Sequence, residues 1–141
     1  MDNNKKLEAL VADLSGRRTE SELSLHLEII KTDDVQVLIV QLEDREEFPI
    51  YLTIDDSQVL CICYLWTEEE VKKERRGEML DAMLTMNVPM PLSSFGKVGA
   101  QYLIFGALSN RVDIADILDE LDVLSSNTLI AVEEMADFLI N

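Results

Sequence analysis

His26 is the one histidine of the chain, and Cys61 and Cys63 are its two cysteines. An imidazole can serve as a general base or metal ligand, and two thiols in a C-x-C pair can hold a soft metal. Neither set closes into a site by its sequence neighbours. One histidine assembles neither a catalytic triad nor a usual zinc centre. His26 therefore reads as a solvent-facing strand residue, and the cysteines read as small buried hydrophobes. Their i, i+2 spacing on a strand separates the Cα atoms by about 6.6–6.8 Å, at the long edge of disulfide geometry. Reduced thiols in a cytosolic protein are expected.

Carboxylates are the commonest reactive groups. The clusters Glu43-Asp44-Arg45-Glu46-Glu47 and Asp55-Asp56 could bind a cation or do acid–base work. No EF-hand spacing is present, so they read as solvated turns. Ser94-Phe95-Gly96-Lys97-Val98-Gly99 matches neither the P-loop nor the GxGxxG pattern, and its glycines suit turns and bulges. Met79, Met83 and Met86 recur at helical spacing, with Met90 beyond. Methionine suits adaptable partner contacts, but packing over a sheet is the expected use. The reading is of a protein that is not an enzyme, with no cofactor and no metal.

The elements that must carry these residues are well patterned. Leu7, Leu10, Val11 and Leu14 predict a first helix, capped by Asn3 or Asn4 and stopped at Gly16. Residues 23–29, 35–42, 48–54 and 58–66 predict four strands with short turns, an antiparallel meander. Thr67 and Glu70 have capping-box spacing and predict the start of a second helix, which Pro89 and Pro91 terminate. Residues 92–100 read as an extended or irregular connector, and residues 101–108 as a fifth strand interrupted by Gly106. Residues 112–140 read as one long helix. Ile117, Leu121, Leu124, Thr128, Val132, Met135 and Leu139 keep phase across Ser125-Ser126-Asn127. The order α-β-β-β-β-α-β-α predicts a single α+β domain over residues 1–141, with an antiparallel sheet of about five strands packed by helices.

Charge bounds the partners. The chain has 28 Asp and Glu against 12 Lys and Arg, a net charge of −16, yet 48% of its residues are hydrophobic. That is a folded acidic protein, repelled by nucleic acid and by anionic membrane but suited to a basic protein partner. The longest apolar run, residues 59–66, falls far short of the roughly 20 residues that span a bilayer. No secretory signal follows Met1, so a cytoplasmic location is expected. The terminal helix should present a continuous acidic face of Asp116, Asp119, Glu120, Glu133, Glu134 and Asp137. That face either keeps the protein soluble or steers a basic partner.

Residues 59–66 are apolar on both strand faces, with Val59, Cys61, Cys63 and Leu65 on one and Leu60, Ile62, Tyr64 and Trp66 on the other. Either helices cover both sides of the sheet or a second protein does. Leu60, Ile62, Tyr64 and Trp66, with Met79 and Met83 of the second helix, form the candidate homodimer interface.

Residues 88–109, VPMPLSSFGKVGAQYLIFGALS, followed by a long acidic helix, resemble the YjfI-type family of small acidic uncharacterised bacterial proteins. The resemblance covers nearly the whole chain and carries no catalytic residue. It implies a bacterial cytosolic protein whose gene lies near those of phage-shock-protein-A-like membrane-remodelling proteins, a candidate basic coiled-coil partner. In size, acidity and element order the chain also resembles type III secretion chaperones, which are dimers that bind extended polypeptide. The expected function is a protein-binding adaptor or chaperone-like protein. A small-molecule-binding regulator or an enzyme of unknown reaction is the rival.

Overall fold

The computed structural model describes residues 2–140. Helix α1 spans Asn3–Leu14. Its cap is Asp2, one residue ahead of the expected asparagines, whose carboxylate accepts from the Lys5 amide at 2.8 Å. Leu7, Leu10 and Leu14 form its buried stripe, and Gly16 follows at φ +79°. Strands β1 (Leu25–Thr32), β2 (Val35–Leu42), β3 (Ile50–Ile54) and β4 (Gln58–Thr67) make the predicted meander. Helix α2 spans Arg76–Asn87, strands β5 and β6 span Ser94–Val98 and Gln101–Ser109, and helix α3 spans Ile114–Met135. All strands form one antiparallel sheet in the order β1-β2-β3-β4-β6-β5. The fold is α+β, with six strands rather than about five.

The sixth strand is β5, which lies where the sequence suggested a connector. It buries only Phe95, too little alternation to read as a strand. Its partner β6 and the turn at Gly99 (φ +57°) supply the hydrogen bonds that hold it extended.

The second helix starts later than its capping signal. The Thr67–Glu70 box forms, with Glu70 Oε1 accepting from the Thr67 amide at 3.0 Å and hydroxyl at 3.1 Å. It caps only a 3-10 turn, Glu68–Glu70. Val71 then turns inward, buried, and bridges Leu139. A second turn, Lys73–Arg75, intervenes before α2 begins at Arg76. Burial of a β-branched side chain and a long-range backbone pair outweigh continuation of the helix. The same contact ends α3 early. Leu139 and Ile140 turn back along residues 70–71, with the Ile140 amide donating to the Glu70 carbonyl at 2.7 Å.

Helix α3 runs unbroken through Ser125-Ser126-Asn127, as the periodicity predicts. Those polar residues have tertiary uses. Arg45 Nη1 donates to Ser125 Oγ and Ser126 Oγ at 3.2 Å. Asn127 Nδ2 donates to the Pro91 carbonyl at 2.9 Å and to Ser93 Oγ at 3.0 Å. The second contact anchors the turn that delivers β5.

All three helices pack on one side of the sheet: α1 on β2 and β3, α3 on β4 and β6, α2 on β5. The buried core takes one parity from strands β2 to β6, Leu38, Val40, Leu42, Ile50, Leu52, Val59, Cys61, Cys63, Phe95 and Ile104, with Leu25, Leu27 and Ile29 of β1 partly buried against it, and joins Leu7, Met79, Leu121, Leu124 and Met135 from the helices. Helices do not cover both faces.

Candidate functional site

The uncovered face is built by the opposite parity. One cross-strand row runs Glu28–Ile39–Tyr51–Ile62–Phe105–Ser94 over all six strands. Beside it lie Thr53–Leu60–Ala107 on one flank and Tyr64–Leu103–Gly96 on the other. Tyr51 and Tyr64 meet edge to face at 5.1 Å in its centre. Leu103 is buried without joining the helix-side core. A Cβ on Gly96 would come within 3.1 Å of the Leu103 side chain and 3.0 Å of Phe105, so glycine there lets both side chains lie over β5.

This face is almost free of charge. The register places only Glu28 and His26 on it, both on edge strand β1. An apolar sheet face of this extent, with so little charge on a chain of net charge −16, is the kind of patch that accompanies interaction sites. Six strands at ~4.8 Å and about eight residues at ~3.3 Å give a plane of roughly 750 Å² in projection. With side-chain relief, that approaches the ~800 Å² each partner buries in a standard interface.

The candidate dimer residues divide between the two faces. Leu60, Ile62 and Tyr64 lie on the open side. Trp66, Met79 and Met83 do not: all three are buried in the core. The β4–β6 ladder shifts register between Tyr64 and Thr67, and that irregularity carries Trp66 to the helix side, where its ring lies 6.2 Å from Tyr102. Val37, Ile39, Tyr51, Leu103 and Phe105 complete the open face.

The acidic face of α3 is also different from its expectation. Asp116, Asp119, Glu133, Glu134 and Asp137 are exposed, but Glu120 is 1% exposed. The stretch between Asp119 and Glu133 offers Val123, Ser126 and the exposed Ile130 instead, with Arg45 bonded to Ser126. Two acidic ends replace one continuous acidic face. Glu120 turns onto the sheet because Gly106 leaves room for it: a Cβ on Gly106 would collide with the Glu120 carboxylate. Neither carboxylate oxygen has a hydrogen-bond partner among the described residues. Burial, aided by nearby Asp119, raises the Glu120 pKa to about 7. Asp122 is buried too, with one oxygen accepting from the Ser21 amide at 3.0 Å.

Among the other chemical candidates, His26 is exposed on β1. Cys61 and Cys63 are buried free thiols. Burial pushes the Cys63 thiol up to about 11, while a hydrogen bond with Thr128 opposes the rise. Cys61 rises further, from burial and from the Glu120 charge. Both are poor nucleophiles in this state. A cleft of about 400 Å³ opens where α1 meets the start of α3, lined by Lys6, Leu10, Asp13, Asn110 and Ile117. Asn110 is already committed to the Asp55 and Asp56 carbonyls, at 3.3 and 2.7 Å. No described helix is long and apolar enough to cross a membrane.

Two solved structures share this architecture. YbjN from E. coli, a proposed transcription regulator, superposes with a TM-score of 0.64 at 12% identity, covering 95% of this chain and 92% of its own. A chain of the heterodimeric ExoU–SpcU complex, from the type III secretion system of Pseudomonas aeruginosa, gives a TM-score of 0.55 at 11% identity, covering 90% and 95%. At such identities they show a shared fold alone. No curated protein matches the sequence. Residues 4–139 match the family described as "Uncharacterized protein conserved in bacteria (DUF2170)", and the chain belongs to it.

Proposed function

We propose that this bacterial protein is a non-enzymatic, cytoplasmic protein-binding adaptor, and that its open sheet face pairs with a second copy of the chain. The uncharged apolar face carries this reading. A basic partner placed there would bury cations without counter-charges, at a cost of several kcal/mol each. A second copy instead brings an apolar surface whose charge is confined to the β1 edge, so two chains of net charge −16 can meet there with few opposing carboxylates. The acidic ends of α3 then stay exposed for a basic protein. The YjfI-type resemblance makes a phage-shock-protein-A-like coiled coil the first candidate for it.

Sedimentation of the wild type and Ile62→Glu tests the pairing. The wild type should dimerise more tightly as salt rises from about 0.05 to 0.5 M, because screening weakens the repulsion between like-charged protomers. The glutamate variant should be a folded monomer. A wild type that stays monomeric across accessible concentrations and salt would remove the second copy from the face.

A further inference from the structure

The groove between α2 and β5 opens onto a ledge of exposed apolar side chains. Leu80, Met83, Leu84, Phe95 and Tyr102 line the groove around about 230 Å³. That volume would hold roughly seven waters or one large apolar side chain. Leu84 is 69% exposed and Val88, at the helix end, 88% exposed. They stand one turn apart on α2 and share a face with Asp81. Leu92, 55% exposed, follows in the turn that returns the chain to β5. From Ala82 to Gly96 the sequence holds no charged residue, although the chain is strongly acidic.

The ledge is held in place. Leu92 has φ +62°, a left-handed conformation that a leucine adopts only under constraint. Asn127 of α3 supplies that constraint from both sides, donating to the Pro91 carbonyl at 2.9 Å and to Ser93 Oγ at 3.0 Å. Asn87 Oδ1 accepts from the Phe95 amide at 2.7 Å and ties the end of α2 to β5. The charges at the rim are acidic on balance. Arg76 and Lys97 both pair with Glu68, at 2.9 and 3.7 Å, and Arg75 pairs with Glu78 at 3.0 Å. Asp81 is exposed and has no ion-pair partner among the described residues. The ledge therefore carries one free carboxylate beside Leu84 and Val88.

We propose that the ledge and groove dock a cationic amphipathic helix of a partner protein. Its apolar stripe lies along Leu84, Val88 and Leu92, one large side chain enters between Leu80, Leu84 and Phe95, and a flanking Lys or Arg meets Asp81. An amphipathic helix laid into an apolar groove is an established mode of recognition. Charge selects the sign: an acidic helix would bring its carboxylates against Asp81 and against the field of a chain of net charge −16, whereas a basic one is steered towards it. The site extends the adaptor reading to a second surface. It uses no residue of the Tyr51–Ile62 row, so it stands whether or not the chain dimerises through that face.

Trp66, the only tryptophan, lies 6.2 Å from Tyr102 and reports on the groove. The probes are three capped, tryptophan-free peptides of about 15 residues. One carries leucines at i, i+3, i+4 and i+7 flanked by lysines, the second replaces its lysines with glutamates, and the third replaces its leucines with serines. The lysine–leucine peptide should change Trp66 emission saturably. Its affinity should fall about tenfold or more in Leu84→Ser and in Val88→Ser, two exposed positions whose fold circular dichroism verifies. Asp81→Lys should weaken it at low salt and much less at high salt. Ile62→Glu should bind it as the wild type does, which separates this site from the open face. The glutamate and serine peptides should leave Trp66 unchanged. A lysine–leucine peptide that fails to bind, binds Leu84→Ser and Val88→Ser as tightly as the wild type, or is matched by the serine peptide overturns the assignment, the last because charge alone would then explain the binding.

Discussion

The two faces of the sheet are both apolar, yet they do different work. The helix-side face interlocks with Leu7, Met79, Leu121, Leu124 and Met135, so the side chains at its centre, from Leu38 and Leu52 to Cys61 and Ile104, are buried. The opposite face has comparable side chains, Ile39, Tyr51, Leu60, Ile62 and Phe105, which shield only one another and stay half-buried. The difference teaches that hydrophobicity on a strand reports the need for a cover, not what supplies it. In this chain helices supply the cover once, and the second face is left open.

Neighbouring residues on β3 give the sharpest separation. Leu52→Ala, on the helix side, should cost about 2–5 kcal/mol in urea unfolding. Tyr51→Ala, one residue away on the open side, should cost the monomer about 1 kcal/mol and act mainly on association. Equal losses in the monomer would erase the distinction between the faces.

A smaller effect probes the acid inserted on the covered side. Glu120, with its pKa raised to about 7, is protonated in the folded state over a range where the unfolded chain has already ionised. Protons are then held more tightly by the fold, so stability falls as pH rises from about 4.5 to about 7 and levels off above. The loss is on the order of 3 kcal/mol at most. Glu120→Gln should abolish that slope and raise stability at pH 8. A Gln variant with the wild-type pH profile would show the carboxylate to be solvated. Gly106→Ala should destabilise by about 1–3 kcal/mol through overpacking, and Glu120→Ala in the same chain should recover most of it, because the collision is between those two groups.

The weakest expected effect lies outside both faces. Reversing Asp116, Asp119, Glu133 and Glu134 to Lys should change stability by no more than about 0.5 kcal/mol. The readout is the association rate with a phage-shock-protein-A-like coiled coil across ionic strength, which should fall steeply in the variant at low salt. An unchanged rate would leave these residues as solubilising charge and confine partner recognition to the sheet face and the α2–β5 groove.

Local pattern was enough for most of the architecture. The α1 stripe, the four-strand meander and the unbroken course of α3 follow from periodicity that adjacent residues enforce by themselves. The two-sided apolarity of residues 59–66 already called for a second cover, by helices or by another protein. What local pattern could not decide was every feature that depends on residues distant in the chain. Strand β5 exists because β6 pairs with it, and α2 starts late because Val71 bridges Leu139. Trp66 faces the core because the β4–β6 ladder shifts register. Glu120 is inside because Gly106, on a different element, opens space for it. Helical phase places a carboxylate around the axis, but only the surface opposite determines whether that position is wet. The choice of which sheet face stays open is likewise tertiary: it depends on the side to which the connections before β1, after β4 and after β6 deliver the three helices, and the alternation within a strand is the same for either.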